Sequence, residues 1–279
     1  MIRYLSQSEK RASEALYREA FPEDKDAFVK YYYSYVIKDN KILVLEKDGE
    51  IASMLHLNPY HLSVNGTAEA AYYYVAVATR KDCRHQGMMR ALLYRSLNDI
   101  HGEEHPFTYL MPANRAIYEP FGFRIVYEQK KVELPVNPEA ANRKMAELFD
   151  VYTMRDDWYV ERMLEEERVC EGDPPFEIVP YIMTRITHVE RMLSLLRSKK
   201  PVKIVLNVKD EVISGNQGRF LWKISKDESI CTRFSEEEHA GAEISVDIAE
   251  LTEFVFGKRK IKGLEEIDVL SKICINEAV

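Results

Sequence analysis

Arg84, His85, Gln86 and Gly87 stand together where an apolar run ends and a helical pattern begins, in "VAVATRKDCRHQGMMRALLYRSL". Residue types in this order suit an anion. The first N–H groups of a helix have no internal partner, and the helix dipole favours negative charge there. A glycine lets a pyrophosphate approach the backbone closely, and Arg84 adds a positive charge. Neither GxxxxGK[ST] nor GxGxxG is present, so neither a Walker loop nor a dinucleotide turn is the source of the pattern. Taken alone, the stretch is equally a helix that merely begins with polar residues and a glycine.

The elements that must position this turn alternate along the first 133 residues. "IRYL" predicts a short strand, and residues 9–20 and 25–37 are helical in pattern. "KILVLEKDGEIASMLHLNPYHLSVNG" predicts two strands around an Asp48-Gly49 turn. "AEAAYYYVAVAT" predicts another, ending near Thr79, before a helix whose Met89, Leu92, Leu93 and Leu97 form one apolar stripe. "PFTYLMPA" and "FRIVYEQKKVEL" predict strands flanking the short helix "NRAIYEPFG". Residues 134–175 are charged and helical in periodicity, and predict a linker of two helices joined near Tyr152–Asp156. From Phe176 to Val279 the strand pattern returns, predicting a smaller α+β domain. The expected fold class is α+β, a mixed sheet flanked by helices followed by that linker and that second domain.

Composition narrows the partners. Lys and Arg number 39 against 46 Asp and Glu, a formal charge of −7, which argues against a nucleic-acid partner. The cysteines at 83, 170, 231 and 274 contain no CxxC pair, so no metal site and no disulfide framework is expected, in keeping with a cytoplasmic location. The longest apolar run, Ala70–Ala78, is far short of the roughly 20 residues a membrane span needs.

"VAVATRKDCRHQGMMRALL" resembles the acyl-CoA signature of the GNAT superfamily of N-acetyltransferases, [QR]-x-x-G-x-[GA] after a strand. Arg84 and Gly87 fit, whereas Met89 stands where Gly or Ala is usual. Two bulky residues there, Met88 and Met89, followed by "RAL", resemble the enhanced-intracellular-survival (Eis) family. "PANRAIYEPFGF" is similar to the GNAT segment that carries a tyrosine near the thiol of the cofactor, and Tyr118 matches it. "KIVLNVKDEVISGNQGRFLWKI" and "AEISVDIAELTEFVFG" look like a sterol-carrier-protein domain, with which Eis proteins end. The best-known members carry a further acetyltransferase-like domain in the middle, for which residues 134–175 are too few.

The resemblance implies direct transfer of an acetyl group from acetyl-CoA to a primary amine. Tyr118 would be the general acid, a hydroxyl with an ordinary pKa around 10. The backbone of Val77, Ala78 and Thr79 would hold the pantetheine and polarise the thioester. Residues His85 to Arg90 would receive the pyrophosphate, and Ala113 and Asn114 would touch the pantetheine end. In Eis-like enzymes the terminal carboxylate reaches the active site, which makes the α-carboxylate of Val279 the implied base. The acceptor would be an aminoglycoside, polyamine, peptide or lysine-like amine. Glu23, Asp24, Tyr31–Tyr33, His56 and Glu277 are candidates for an acidic, aromatic acceptor pocket. A homo-oligomer is compatible with all of this. The competing reading is a CoA sensor or apolar-ligand carrier that uses the C-terminal domain.

Overall fold

The computed structural model describes residues 1–171, 180–235 and 242–276. The elements run β1 (Ile2–Tyr4), α1 (Glu14–Ala20), α2 (Asp26–Tyr32), β2 (Lys41–Lys47), β3 (Glu50–Val64), β4 (Thr67–Thr79), α3 (Met88–Gly102), β5 (Phe107–Leu110) and β6 (Arg124–Glu128). They continue as α4 (Pro138–Leu148), β7 (Val151–Thr153), α5 (Asp157–Val169), β8 (Tyr181–Ile186), α6 (Val189–Ser194), β9 (Arg197–Ser198) and β10 (Val202–Lys209). The last are β11 (Gly218–Ile224), β12 (Ser229–Arg233), β13 (Ala242–Asp247), α7 (Ile248–Val255), β14 (Ile267–Asp268) and β15 (Ile273–Cys274). The mixed α+β architecture expected from the sequence is what forms.

The main sheet has the order β1-β2-β3-β4-β5-β8-β6, with β7 beside β3 and β15 beside β7. Most neighbours are antiparallel, β2–β3 and β3–β4 as hairpins, whereas β7 and β15 run parallel and so do β4 and β5, which are joined by the crossover helix α3. The stripe read from the sequence is the buried face of α3: Leu92, Leu93 and Leu97 have no exposed surface.

Two segments sit differently from their sequence reading. The strand over 181–186, read as opening the second domain, inserts between β5 and β6 of the first sheet. The stretch 134–175, read as a purely helical linker, contributes β7, which pairs with β3 on one side and β15 on the other. Strand propensity marks these residues as extended, but the pairing partner is set by tertiary packing. The expected boundary at 175/176 falls outside the described residues.

The second sheet, β12-β11-β10-β13, turns one face inward. Ile204, Leu206, Val208, Phe220, Trp222 and Ile224 pack there against α6, α7 and the main sheet, in one continuous core. The opposite face carries Lys203, Asn207, Lys223 and Glu243 toward solvent, with Val205 and Leu221 buried among them. No helix among the described residues is long and apolar enough to cross a membrane.

Arg185 on β8 ties the two sheets together. Its side chain has no exposed surface, and its guanidinium donates to both carboxylate oxygens of Asp210 at 2.7 and 2.9 Å. It also donates to the carbonyls of Phe121 and Ile186. Asp210 in turn accepts from the N–H groups of Val212 and Ile213 and from Asn216. Burial pulls the Arg185 pKa below its ordinary value, and the Asp210 charge opposes that pull. Removing one partner of a buried pair leaves an uncompensated charge. Asp210→Ala is therefore expected to cost about 3–5 kcal/mol in denaturant unfolding; a loss below about 1 kcal/mol would show that the pair does not hold the sheets together.

Candidate functional site

The site begins where β4 and β5 part. They pair only at Tyr73↔Tyr109 and Tyr74↔Leu110, after which β5 ends while β4 continues to Thr79. The register between β3 and β4 shifts at the same level, between Met54 and His56. Ala76 adopts φ +50° there, a left-handed conformation that an L-residue adopts only under constraint. The bulge turns the end of β4 away from β5 and opens a crevice at the carboxyl ends of two parallel strands, the position where open α/β sheets take ligands. Val77, Ala78 and Thr79 form one wall. Ser53 Oγ fixes that wall from behind, bonding to the Ala78 carbonyl at 2.9 Å and the Thr79 hydroxyl at 2.8 Å.

The turn after β4 holds the basic and polar group. His85 has φ +60° and Gly87, the residue before α3, has φ +77°. Two left-handed residues so close bend the chain sharply into the start of α3, whose first N–H groups have no helical partner. A Cβ on Gly87 would meet nothing within 4 Å, so the glycine answers to the backbone angle and not to crowding. Arg84 donates from Nε to the Thr79 carbonyl, tying the turn to the end of β4. Gln86 is held by the Asp82 carbonyl and by Lys47. His85, Gln86 and Arg90 are exposed, while Met88 and Met89 are half-buried, with Met89 packed on the core.

The turn after β5 holds the other group. Ala113 and Asn114 are exposed. The Asn114 side chain accepts the Ala116 N–H at 3.0 Å and so starts the short 3-10 turn that leads to Tyr118. Tyr118 is half-buried, edge-on to Phe123 at 6.0 Å, and no hydrogen bond among the described residues engages its hydroxyl. Burial pushes its pKa up to about 12, so it stays protonated at neutral pH. Beneath it, Arg185 holds the Phe121 carbonyl at 2.6 Å. Gly122, at φ +85°, lets the chain pass close to Ile248, which a Cβ would meet at 3.1 Å. The second sheet's helix α7 therefore supports the turn that carries Tyr118.

The first domain's sequence has its counterpart among known families at this point. Residues 1–126 match the family model described as an acetyltransferase (GNAT) domain, and residues 189–277 the one described as a sterol carrier protein domain. The chain is an acyltransferase. Solved structures share the fold over nearly its whole length. A probable N-acyltransferase from Enterococcus faecalis, a conserved protein of unknown function, matches at TM-score 0.74 and 13% identity, over 96% of this chain and 93% of that one. A GCN5-related N-acetyltransferase from Anabaena variabilis matches at 0.66 and 13%, over 96% and 94%. Eis1 from Mycobacterium abscessus matches at 0.61 and 16%, over 97% and 94%. At these identities the likeness is one of fold. No curated protein matches the sequence.

Of the expected acceptor pocket, Tyr31, Tyr32, Tyr33 and His56 are core residues. Tyr17 donates to Asp24. Glu277 and Val279 lie outside the described residues; the last residue described, Asn276, is fixed by Tyr127 and by the Lys130 carbonyl. What sequence reasoning missed is a polar stratum on the α1–α2 face of the sheet. His56 shares a hydrogen bond with Tyr32 at 2.8 Å and has no exposed surface. Asn40 donates to Tyr32 and Asn58. The alternation of His56, Asn58 and Tyr60 along β3 was the available signal.

Burial, assisted by the Lys10 charge, lowers the His56 pKa to about 3. The unfolded chain therefore binds a proton from about pH 6.5 downward that the folded chain refuses until about pH 3. Stability is expected to be fully present above pH 6.5 and to fall as the pH drops through that window. His56→Leu should flatten this slope in urea unfolding measured between pH 7 and 4. An unchanged slope would mean that His56 is protonated in the folded state.

Proposed function

We propose that the chain is an Eis-like N-acetyltransferase that moves the acetyl group of acetyl-CoA directly to a primary amine. The observation that carries this reading is the parting of β4 and β5, with the left-handed His85–Gly87 turn following one strand and the Tyr118 turn following the other. The chain's groups fit the cosubstrate in kind. The His85–Arg90 backbone and Arg90 suit a pyrophosphate, Met88 and Met89 fill space beside it, and Val77–Thr79 offer strand edge to an extended pantetheine. Ala113 and Asn114, on the turn after β5, would touch the pantetheine end.

Tyr118 acts as the general acid. Its raised pKa keeps the proton on the hydroxyl, where it is available to the departing sulfur, and its unengaged oxygen needs no bond broken first. The acceptor ammonium must lose a proton before it attacks, and we assign that role to the α-carboxylate of Val279. Support comes from Ile275, fully buried, and from Asn276, whose bonds to β6 and the segment after it lead the chain along the sheet. The scattered cysteines, without a CxxC pair, are in keeping with a cytoplasmic location. The carrier alternative has less behind it, because the apolar face of the second sheet is filled by the protein's own Phe220, Trp222 and Phe256.

Incubation with acetyl-CoA and a panel of amines, following free thiol, tests the reaction; CoA binding without thiol release from any amine would favour a sensor. Tyr118→Phe is expected to lower kcat by about 100-fold or more with acetyl-CoA affinity retained, and wild-type kcat should not fall between pH 8 and 10, because the acid titrates near pH 12. An unaffected rate would remove Tyr118 from the chemistry. Appending a few residues after Val279 should depress turnover without unfolding the protein; full turnover would assign the base elsewhere.

A further inference from the structure

The solvent side of α3 carries an open depression of about 400 Å³, lined by Gly87, Arg90, Ala91 and Tyr94, a size within the roughly 300–1,000 Å³ range of ligand clefts. Residues 87, 90, 91 and 94 follow the spacing of one helix face. It is not the face that Leu92, Leu93 and Leu97 bury against the sheet. A Cβ on Gly87 would meet nothing within 4 Å, so the near end is open, and Ala91 adds only a methyl group to the floor. Tyr94 keeps 36% of its surface exposed. Phe121, itself buried, stands nearly perpendicular to that ring, at 82° with centroids 6.1 Å apart, and so holds it without covering it. Four residues on, Asn98 donates to the Val212 carbonyl at 3.0 Å, so this face of α3 stops being free where it meets the second half of the chain.

One half-exposed tyrosine on a helix is ordinary; what matters is where this one stands. The depression starts at Gly87, which leads from the left-handed turn into α3. Seven residues at about 1.5 Å each put Tyr94 roughly 10 Å along the axis, about the length of a nucleoside. Along that distance the chemistry changes in a fixed order. Unpartnered helix N–H groups come first, suited to phosphate. Arg90 follows, exposed and without an ion pair among the described residues. The Tyr94 ring comes last, an aromatic surface of the kind on which a flat heterocycle stacks. Pyrophosphate, then ribose, then base is the order of groups in the nucleotide half of coenzyme A.

We propose that this face of α3 seats the nucleotide end of the acyl donor, with the adenine stacked on Tyr94. The site rests on the acetyl-CoA reading for its pyrophosphate end and on Tyr94 for its base. It makes the donor a free coenzyme A thioester and not a thioester on the 4′-phosphopantetheine arm of a carrier protein, which brings no base for Tyr94 to hold. Stacking of a base on one aromatic side chain is expected to be worth about fivefold to a hundredfold in affinity.

Calorimetry with three probes tests it: CoA, adenosine 3′,5′-bisphosphate, which is its nucleotide end alone, and 4′-phosphopantetheine, which lacks that nucleotide. Tyr94→Ala is expected to weaken the first two at least fivefold and to leave the third unchanged, whereas Tyr94→Phe, which keeps the ring, should bind all three as wild type does. Ala91→Leu fills the floor of the depression while leaving Tyr94 on Phe121; it should weaken the same two probes and guards against a Tyr94→Ala protein that fails to fold. In turnover, Tyr94→Ala should raise KM for acetyl-CoA and leave KM for acetyl-4′-phosphopantetheine where it was. Equal weakening of all three probes would make Tyr94 a support of the fold, and unchanged CoA binding in Tyr94→Ala would put the base elsewhere; either result overturns the assignment and leaves acetyl transfer standing. A wild-type protein that uses acetyl-4′-phosphopantetheine as well as acetyl-CoA overturns it too. Tyr94-dependent CoA binding without acetylation of any amine upholds the site and removes the transfer reaction. Wild-type protein that binds no CoA removes both.

Discussion

A single guanidinium determines how the two halves of this chain meet. Arg185 is fully buried, and every donor it has in use points at a group that would otherwise be stranded: the Phe121 and Ile186 carbonyls and the Asp210 carboxylate. Asp210 spends its remaining capacity on the N–H groups of the loop after β10 and on Asn216, whose amide reaches the Thr187 carbonyl and whose oxygen takes the Val189 N–H. The network thus runs from the turn of Tyr118 through the main sheet into the second sheet. A buried pair of this kind is a poor source of stability against an apolar replacement, but it is selective: only one docking satisfies every member. That selectivity is what a turn made of two consecutive 3-10 segments requires, since such segments hold themselves weakly.

Much of this was legible in the sequence, for identifiable reasons. The Asp48-Gly49 hairpin, the stripe of α3 and the glycine turn are local signals, set by one residue's dihedral freedom or by a period of 3.6. Tyr118 was legible only through the string around it. The insertion of β8 between β5 and β6 was not, because an isolated strand carries no label for its neighbours. Nor was the bend of β4, since alanine at 76 has no propensity for a positive φ and is forced there by the parting of the strands. Arg162 read as one charge among many in a helix of Glu and Arg; its burial exists only once α5 lies on the sheet.

The second sheet is best understood as masonry for the first. Its apolar face closes the core that the main sheet leaves open, so Trp222 and Phe220 stabilise the acetyltransferase half directly, each burying surface worth about 2–3 kcal/mol. α7 then presses Ile248 against Gly122, under the turn of Tyr118. On the opposite face Lys203, Asn207, Lys223 and Glu243 meet solvent around the buried Val205 and Leu221. The inward face of the sheet that matches a sterol carrier domain is thus occupied by this chain's own side chains.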